Sequence, residues 1–279
     1  MILSQMSVMS LAACVAAATW MLAAPAGARG AIKTQTIAYQ DGETKLQGFL
    51  AYDDSTSKAR PGVLVIPEWW GVTDYTRHRA QMLAELGYVA FVADMYGEGK
   101  STNDAKEAGN WATAVSHDKA VLRRRAQAGL NVLASQAMAD KTHLAAIGYC
   151  FGGTAVLELA RVGDDLTAAG TTLAGVASFH GGLGSFKDAD FSKMKAKALV
   201  LNGAADTFVP PQQVQDCTEA MTKGGVDFQV VNYSHAVHAF TNPDADSHHI
   251  PNIAYNEAAD KRSWQAMKDF FGEIFGSGA

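Results

Sequence analysis

Apolar residues in this chain fall into two kinds of run. Four runs are continuous, with no polar residue inside them: residues 63–66, 89–93, 144–147 and 198–201. Strands buried on both faces read in this way, so these runs predict the centre of a sheet that is covered on both sides. Residues 36–38 and 46–52 flank an Asp-Gly pair, which supplies the positive φ angles of a tight turn, and they predict a hairpin.

Helical patterns separate the apolar runs. Thr73 can cap a helix that Gly87 stops, and a longer helical region covers residues 119–139. Residues 255–275 carry their apolar side chains on one helical face, as a helix packed on a sheet does. The alternation of strand and helix predicts an α/β fold with a doubly wound, mostly parallel sheet and helices on both faces.

The first 28 residues differ from the rest of the chain. They hold no charged side chain and end in Ala-Gly-Ala, a pattern that signal peptidase accepts. We expect a signal peptide over residues 1–28, cleavage between Ala28 and Arg29, and export to the periplasm. No Lys or Arg precedes the apolar run, which suggests a start codon upstream of Met1. The alternatives are a membrane anchor and a lipoprotein modified at Cys14.

Composition narrows the function classes. A chain with 48% hydrophobic and 18% charged residues is globular and not disordered. The net charge is −5, and no basic run interleaves with aromatic residues, so nucleic acid is excluded as a partner. No linker, repeat or charge block divides residues 29–279, which predicts one domain and, we expect, a monomer. Three cysteines are too few for a disulfide scaffold, and no role is predicted for Cys217.

A cysteine lies where a nucleophile would be expected. The apolar run 144–147 leads into Gly-Tyr-Cys-Phe-Gly, centred on Cys150, and a helix-compatible segment follows at once. This G-x-C-x-G pattern between strand and helix is typical of a nucleophile elbow, whose flanking glycines let the backbone pass close by. A helix N-terminus beneath the thiol favours the thiolate. The alternative is a buried structural cysteine in a glycine-rich turn.

Two further strand ends carry catalytic residue types. Asp206 lies in the loop after the run 198–201, and residues 228–233 end before His235 and His238. In an elbow enzyme the acid and then the histidine follow the nucleophile in chain order. The acid holds the imidazole tautomer and stabilises the imidazolium. From the residues themselves, either histidine can be the base, and either can be an ordinary surface histidine.

Five motifs together resemble the dienelactone hydrolase family of the α/β-hydrolase fold. They are Pro-Glu-Trp-Trp-Gly at 67–71, Ala-Asp-Met-Tyr at 93–96, the elbow at 148–153, residues 203–210, and His-Ala-Phe at 238–240. The resemblance extends over residues 33–275. It implies a triad of Cys150, His238 and Asp206, and it implies that Glu68 hydrogen-bonds the resting thiol. It also implies an oxyanion hole made by two backbone N–H groups, those of Trp69 and Phe151.

The sequence departs from this family where arginines bind a substrate carboxylate. Those places hold Glu98 and Asn242, neither of which clamps an anion as a guanidinium does. The other residues expected around the elbow are aromatic or neutral; those assigned to substrate binding are Trp70, Tyr96, His180 and Phe240. We therefore expect a small, neutral ester or lactone as substrate, hydrolysed through a cysteinyl acyl-enzyme.

Other functions stay open at this point. A general esterase or thioesterase needs the same residues, and a non-catalytic relative would keep the pocket without turnover. Thiol redox chemistry lacks the Cys-x-x-Cys pair that it uses. No carboxylate or cysteine stands at metal-ligand spacing from the paired histidines, so no metal and no cofactor is expected. The sequence does not determine whether residues 100–118 move as a lid.

Overall fold

The computed structural model describes residues 31–163 and 172–276. The expected signal peptide, its cleavage site and Cys14 lie outside the described residues. Within this part of the chain, none of the helices is both long and apolar enough to cross a membrane.

Strands and helices alternate along the described chain. The strands are β1 (Ile32–Asp41), β2 (Thr44–Asp53), β3 (Arg60–Ile66), β4 (Val89–Val92), β5 (Ala139–Tyr149), β6 (Leu173–Phe179), β7 (Lys197–Gly203) and β8 (Phe228–Tyr233). The helices are α1 (Asp74–Glu85), α2 (Ala105–Ser116), α3 (Lys119–Ala134), α4 (Phe151–Arg161), α5 (Pro211–Lys223) and α6 (Glu257–Phe275). Two short 3-10 turns, Gly184–Phe186 and Ala245–His248, lie in the connections.

The strands form one eight-stranded sheet in the order β1-β2-β4-β3-β5-β6-β7-β8. The hairpin of β1 and β2 is antiparallel, and β2 pairs antiparallel with β4. Every pairing from β4 to β8 is parallel. This arrangement confirms the α/β class, the mostly parallel sheet and the hairpin.

Both faces of the sheet are buried, as the continuous apolar runs predict. In β3, Leu64 and Ile66 belong to a core that also contains apolar residues of α3, α4 and α5. Val63 and Val65 face the opposite core, which contains residues of α1 and α6. All four side chains are fully buried. Successive strand residues point to opposite faces, so one strand contributes to both cores.

The helix boundaries follow from local capping. The Thr73 side chain caps α1, and Asp104 and Asp118 cap α2 and α3 by accepting hydrogen bonds from backbone N–H groups of the first turn. The helical region expected over residues 119–139 is too long. The helix α3 ends at Ala134, because Ala139 already pairs with Arg60 as the first residue of β5.

Parallel strands bring their carboxyl ends to the same edge of the sheet. The strands β5, β7 and β8 end at Tyr149, Gly203 and Tyr233, directly before the segments that hold Cys150, Asp206 and His238. In open α/β sheets this edge is where ligands bind.

Candidate active site

Cys150 occupies a strained turn between β5 and α4. Its φ of 53° and ψ of −115° lie in a region that side-chain-bearing residues rarely adopt. The turn is so tight that a Cβ on Gly148 would collide with the carbonyl of Gly152. A Cβ on Gly152 would in turn collide with the carbonyl of Ile66 at the end of β3. The two glycines of the motif are therefore required by close backbone approach, and the thiol is left partly exposed.

Three side chains from three strand ends form a hydrogen-bonded series. The Nε2 atom of His238 lies 3.0 Å from Cys150 Sγ, and Nδ1 lies 2.8 Å from Asp206 Oδ2. The other oxygen of Asp206 accepts from the backbone N–H of Phe208 at 2.8 Å. His235 is exposed in the preceding turn, so the structure brings His238, and not His235, to the thiol.

The electrostatic environment favours a charged His238. Burial lowers the pKa of this imidazole, but the Cys150 sulfur and the hydrogen bonds to Asp206 and Cys150 outweigh burial and raise the pKa to about 10. A proton held on His238 Nε2, 3.0 Å from the sulfur, can be passed to a leaving group at that position. The arrangement can therefore supply a nucleophile and an acid in one pair of residues.

Glu68 is buried behind this pair, at the end of β3, and is 2% exposed. Its Oε2 accepts a hydrogen bond of 2.7 Å from Asn242 Nδ2. Burial raises the pKa of Glu68 to about 7, although the hydrogen bond from Asn242 lowers it. The resemblance implies that Glu68 bonds the thiol, whereas here the thiol bonds His238 and the carboxyl bonds Asn242. The side chain of Asn242 thus donates its hydrogen bond to Glu68, and Asn242 is only 4% exposed.

Aromatic rings lie around Phe151, the residue after the nucleophile, and beside His238. The Tyr96 ring contacts Phe151 and Trp111, with centroids 5.8 and 5.5 Å apart. The Phe208 ring, half exposed, lies 5.2 Å from the His238 ring. Trp69 lies against α2, since a Cβ on Gly109 would be 3.6 Å from its ring. The sequence reasoning missed Trp111 and Phe208. The position of Phe208, two residues after Asp206, indicates a residue close to the triad, but it does not show which way the ring faces.

Three of the residues expected to bind substrate, namely Trp70, His180 and Phe240, are buried in the structure. Phe240 and His180 are fully buried, and their rings pack in an edge-to-face arrangement with centroids 5.2 Å apart. Trp70 is 3% exposed and stacks on His248 at 3.9 Å. It lines a cavity of about 450 Å³ that also borders Asn242. Phe240 and His180 therefore present no surface to a ligand in this structure, whereas a substrate-binding role for Trp70, which lines the cavity, stays a prediction. Phe240 packs in the core, and His180 lies beneath the thiol.

The Tyr96 segment is shaped by a buried carboxylate. Asp94, at the end of β4, is fully buried and accepts four backbone hydrogen bonds of 2.8–3.0 Å. The donors are the N–H groups of Gln47, Tyr96, Gly97 and Gly99. Backbone donors stabilise a buried carboxylate. Asp94 thereby fixes the loop from which Tyr96 reaches the thiol region.

Among residues 31–163 and 172–276, the side chains of His, Cys, Asp and Glu form no group of three or more that could hold a metal ion. In the same part of the chain Cys217 is a free, fully buried thiol on α5. Burial raises its pKa to about 12, so it stays protonated and packs as an apolar side chain.

Comparison with known proteins agrees with this geometry. The chain is 38% identical to a dienelactone hydrolase-like promiscuous phosphotriesterase from metagenomic libraries, with a TM-score of 0.81 over 88% of this chain and 99% of that one. A second solved structure, m3DLH, is 36% identical, with a TM-score of 0.80 and the same coverage. Protein usf of Aquifex pyrophilus is 26% identical over 86% of this chain and 98% of its own length.

The family assignment rests on a match along most of the chain. The sequence model of the dienelactone hydrolase family matches residues 46–275, which begin within β2 and include every later strand of the sheet. The chain therefore belongs to the dienelactone hydrolase family, and it is a hydrolase that acts on esters and lactones.

Proposed function

We propose that the protein hydrolyses neutral carboxylic esters or lactones through a cysteinyl acyl-enzyme, with Cys150, His238 and Asp206 as catalytic triad. The observation that carries this proposal is the pair of contacts made by His238, 3.0 Å from Sγ and 2.8 Å from the Asp206 carboxylate. One imidazole thus contacts both the nucleophile and the acid, which is the arrangement of a general base held by a carboxylate.

In the first half of the reaction the Cys150 sulfur attacks the ester carbonyl carbon. His238 takes the proton of the thiol, and the C=O electron pair moves to oxygen. Phe151 is the first residue of α4, so its N–H has no partner within the helix and is free to donate to that oxyanion. The second donor in this proposal is the N–H of Trp69. His238 then protonates the leaving alkoxide as the C–O bond breaks.

In the second half a water molecule attacks the thioester. His238 takes a proton from this water, the tetrahedral oxyanion forms again, and the C–S bond breaks to release the acid. Asp206 keeps Nδ1 protonated and stabilises the imidazolium in both halves. Glu68, held by Asn242, acts in this proposal through its charge on His238 and not as a ligand of the thiol.

The surroundings of the thiol support a neutral substrate. The side chains that pack around Phe151 and beside His238 are aromatic: Tyr96, Trp111 and Phe208. His180 cannot serve as a cation for a carboxylate, because burial lowers its pKa well below the usual range and the ring is fully buried. Apolar area of this kind binds an uncharged acyl or alkoxy group.

The test of the triad is hydrolysis of 4-nitrophenyl acetate by matched variants. Cys150→Ala and His238→Ala are expected to lose more than about 10³-fold in kcat/KM. His235→Ala, which removes an exposed histidine three residues away, is the matched control and keeps activity. Turnover that survives in Cys150→Ala refutes the mechanism. A wild type with no activity on any ester or lactone would instead support a ligand-binding relative.

The test of substrate charge uses two esters. We expect kcat/KM for a neutral short-chain ester to exceed that for a dienelactone carboxylate by at least about tenfold, which corresponds to roughly 1.4 kcal/mol of transition-state discrimination. A preference for the anionic lactone contradicts the neutral-substrate proposal while leaving the triad intact. Thioesters with the same acyl group show whether the oxygen leaving group is required.

A second activity, hydrolysis of phosphotriesters, is favoured by the likeness to the promiscuous phosphotriesterase over 88% of this chain. The Cys150 sulfur would attack phosphorus, the aryl oxide would leave, and water would then cleave the S–P bond. Rapid release of one aryl oxide for each enzyme molecule, without further turnover, would show that only the first step occurs. No release at all would exclude this activity.

The same proposal places the enzyme outside the cytoplasm, because residues 1–28 carry no charge and end in a signal-peptidase pattern. We expect the exported protein to begin at or near Arg29 and to elute as a monomer in size-exclusion chromatography. N-terminal sequencing decides the first point. An intact Met1 or a lipid-modified Cys14 would contradict cleavage at Ala28.

A further inference from the structure

A buried histidine lies directly beneath the nucleophile. The backbone N–H of Cys150 donates to His180 Nδ1 at 3.1 Å and shares this proton with the carbonyl of Phe179 at 2.9 Å. On the other side of the ring, His180 Nε2 lies 2.8 Å from Thr241 Oγ1. His180 follows β6 directly and has a φ of 41°. One imidazole thus connects the nucleophile turn to the loop that carries His238.

The hydrogen bonds define the tautomer of His180. Because Nδ1 accepts a hydrogen bond from the N–H of Cys150, Nδ1 carries no proton, and the ring proton is on Nε2. The Nε2–H group therefore donates to Thr241 Oγ1. A protonated ring could not accept from Cys150, so the connection requires a neutral imidazole, and full burial of the ring supports that state.

Thr241 is itself held by two residues of α1, one of which is paired with α6. Its Oγ1 lies 2.7 Å from the hydroxyl of Tyr75 on α1, and its carbonyl accepts from Arg79 Nη2 at 2.6 Å. Arg79 is 4% exposed and pairs with Asp260 on α6 at 2.5 Å. The position of Thr241 is therefore set by packed elements on one face of the sheet, and His180 transmits that position to Cys150.

We infer that His180 and Thr241 are positioning residues that set the separation of Cys150 and His238. The inference rests on the proposed function. Thr241 stands three residues after His238 on the same loop, so a shift of Thr241 moves the imidazole. A shift of the Cys150 backbone moves Sγ. The 3.0 Å contact of Sγ with Nε2 depends on both, and displacements of about 1 Å at a reacting pair can cost roughly 10²-fold in rate.

Two substitutions break the connection at different atoms. Thr241→Val removes the hydroxyl and keeps the shape of the side chain. His180→Asn keeps an oxygen in place of Nδ1, is compatible with a positive φ, and is too short to reach Thr241. For each we expect kcat to fall by about tenfold while KM stays within about twofold, because the substrate-facing aromatic residues are unchanged. Thr241→Ser restores the hydroxyl and is expected to recover wild-type kcat.

The double variant tests whether the two residues act together. If His180 acts through Thr241, His180→Asn/Thr241→Val loses no more kcat than either single variant, since the same hydrogen bond is already absent. Multiplied losses would mean independent effects and would overturn the inference. Thr76→Val is the matched control, because Thr76 is as fully buried as Thr241 and its hydroxyl donates to the carbonyl of Thr73. It should lose stability and keep kcat.

A measurement without ester separates this inference from the proposed function. The rate at which iodoacetamide labels Cys150 reports on the Cys150–His238 pair and needs no turnover. We expect Thr241→Val and His180→Asn to lower this rate severalfold, and Thr76→Val and Thr241→Ser to leave it unchanged. A wild type that hydrolyses no ester but shows this pattern refutes the function and retains the positioning role. Equal labelling rates in all variants refute the positioning role.

Discussion

Replacing Asn242 with leucine removes the hydrogen bond that its Nδ2 donates to Glu68 Oε2 over 2.7 Å. Glu68 is 2% exposed, and burial already raises its pKa from 4.5 to about 7. A hydrogen bond to a charged group contributes about 1.5–3 kcal/mol, and one pKa unit corresponds to about 1.4 kcal/mol. Loss of the donor should therefore raise the pKa of Glu68 by a further one to two units.

The sign of the stability change follows from the two states of the chain. Between pH 4.5 and pH 7 the unfolded chain releases the Glu68 proton while the folded protein retains it. The unfolded state then binds fewer protons, so the free energy of unfolding falls as the pH rises, by about 3 kcal/mol in total from this group. In the wild type this fall ends near pH 7. In Asn242→Leu it continues for one to two units and removes about 1.5–3 kcal/mol more.

Urea denaturation at pH 6 and pH 9 measures this difference. Asn242 Oδ1 also accepts from the Asp244 N–H, and the loss of that bond lowers stability equally at both pH values. The pair Glu68→Gln and Glu68→Gln/Asn242→Leu is the control, because glutamine has the shape of glutamate and does not titrate. The extra loss at pH 9 should vanish in this pair. The reasoning is refuted if Asn242→Leu destabilises the protein equally at pH 6 and pH 9.

Three further predictions follow from the geometry of the site. Asp206→Asn should lower kcat by about 10³–10⁴-fold with the fold retained, because the wrong imidazole tautomer is then held; steady-state kinetics with circular dichroism checks this. His238→Ala should be labelled more slowly by iodoacetamide at Cys150 than the wild type, since the imidazole 3.0 Å from the sulfur can no longer take the thiol proton; equal rates would contradict this role of His238. Gly152→Ala should sharply reduce soluble yield and Tm, whereas Gly272→Ala, with nothing within 4 Å of its Cβ, should gain up to about 1 kcal/mol.

The sheet was predictable because burial on both faces leaves a local signal. Each central strand reads as an uninterrupted apolar run, and the Asp-Gly turn identifies the hairpin without tertiary information. The end of α3 was not predictable in the same way. Residues 135–139 are compatible with a helix locally, but Ala139 pairs with Arg60 of β3 as part of strand β5. This contact joins distant parts of the chain. Tertiary pairing overrides propensity at such boundaries.

The proposed triad was accessible to sequence reasoning because parallel strands deliver their ends to one edge. The orientation of the side chains around the proposed triad was harder to predict from the sequence. His180 also follows a strand end, yet its ring turns inward to Thr241, 61 residues away along the chain. An aromatic or imidazole side chain at a strand end can face solvent or core, and the choice depends on partners that sequence position does not reveal. The same reason explains why Phe208 was missed.

Four hydrogen bonds that shape the loop after β4 come from main-chain N–H groups and converge on the Asp94 carboxylate. None of them depends on the identity of the side chains at Met95, Tyr96 or Glu98. The loop can therefore keep its path while the side chains of Tyr96, which is half-buried, and Glu98, which is exposed, are exchanged by mutation. Such a position lets a lineage of enzymes acquire new substrates without first losing a stable fold. Libraries randomised at 96 and 98 in the presence of Asp94 should contain many folded members, provided that Met95 is kept, because its side chain is fully buried in the core.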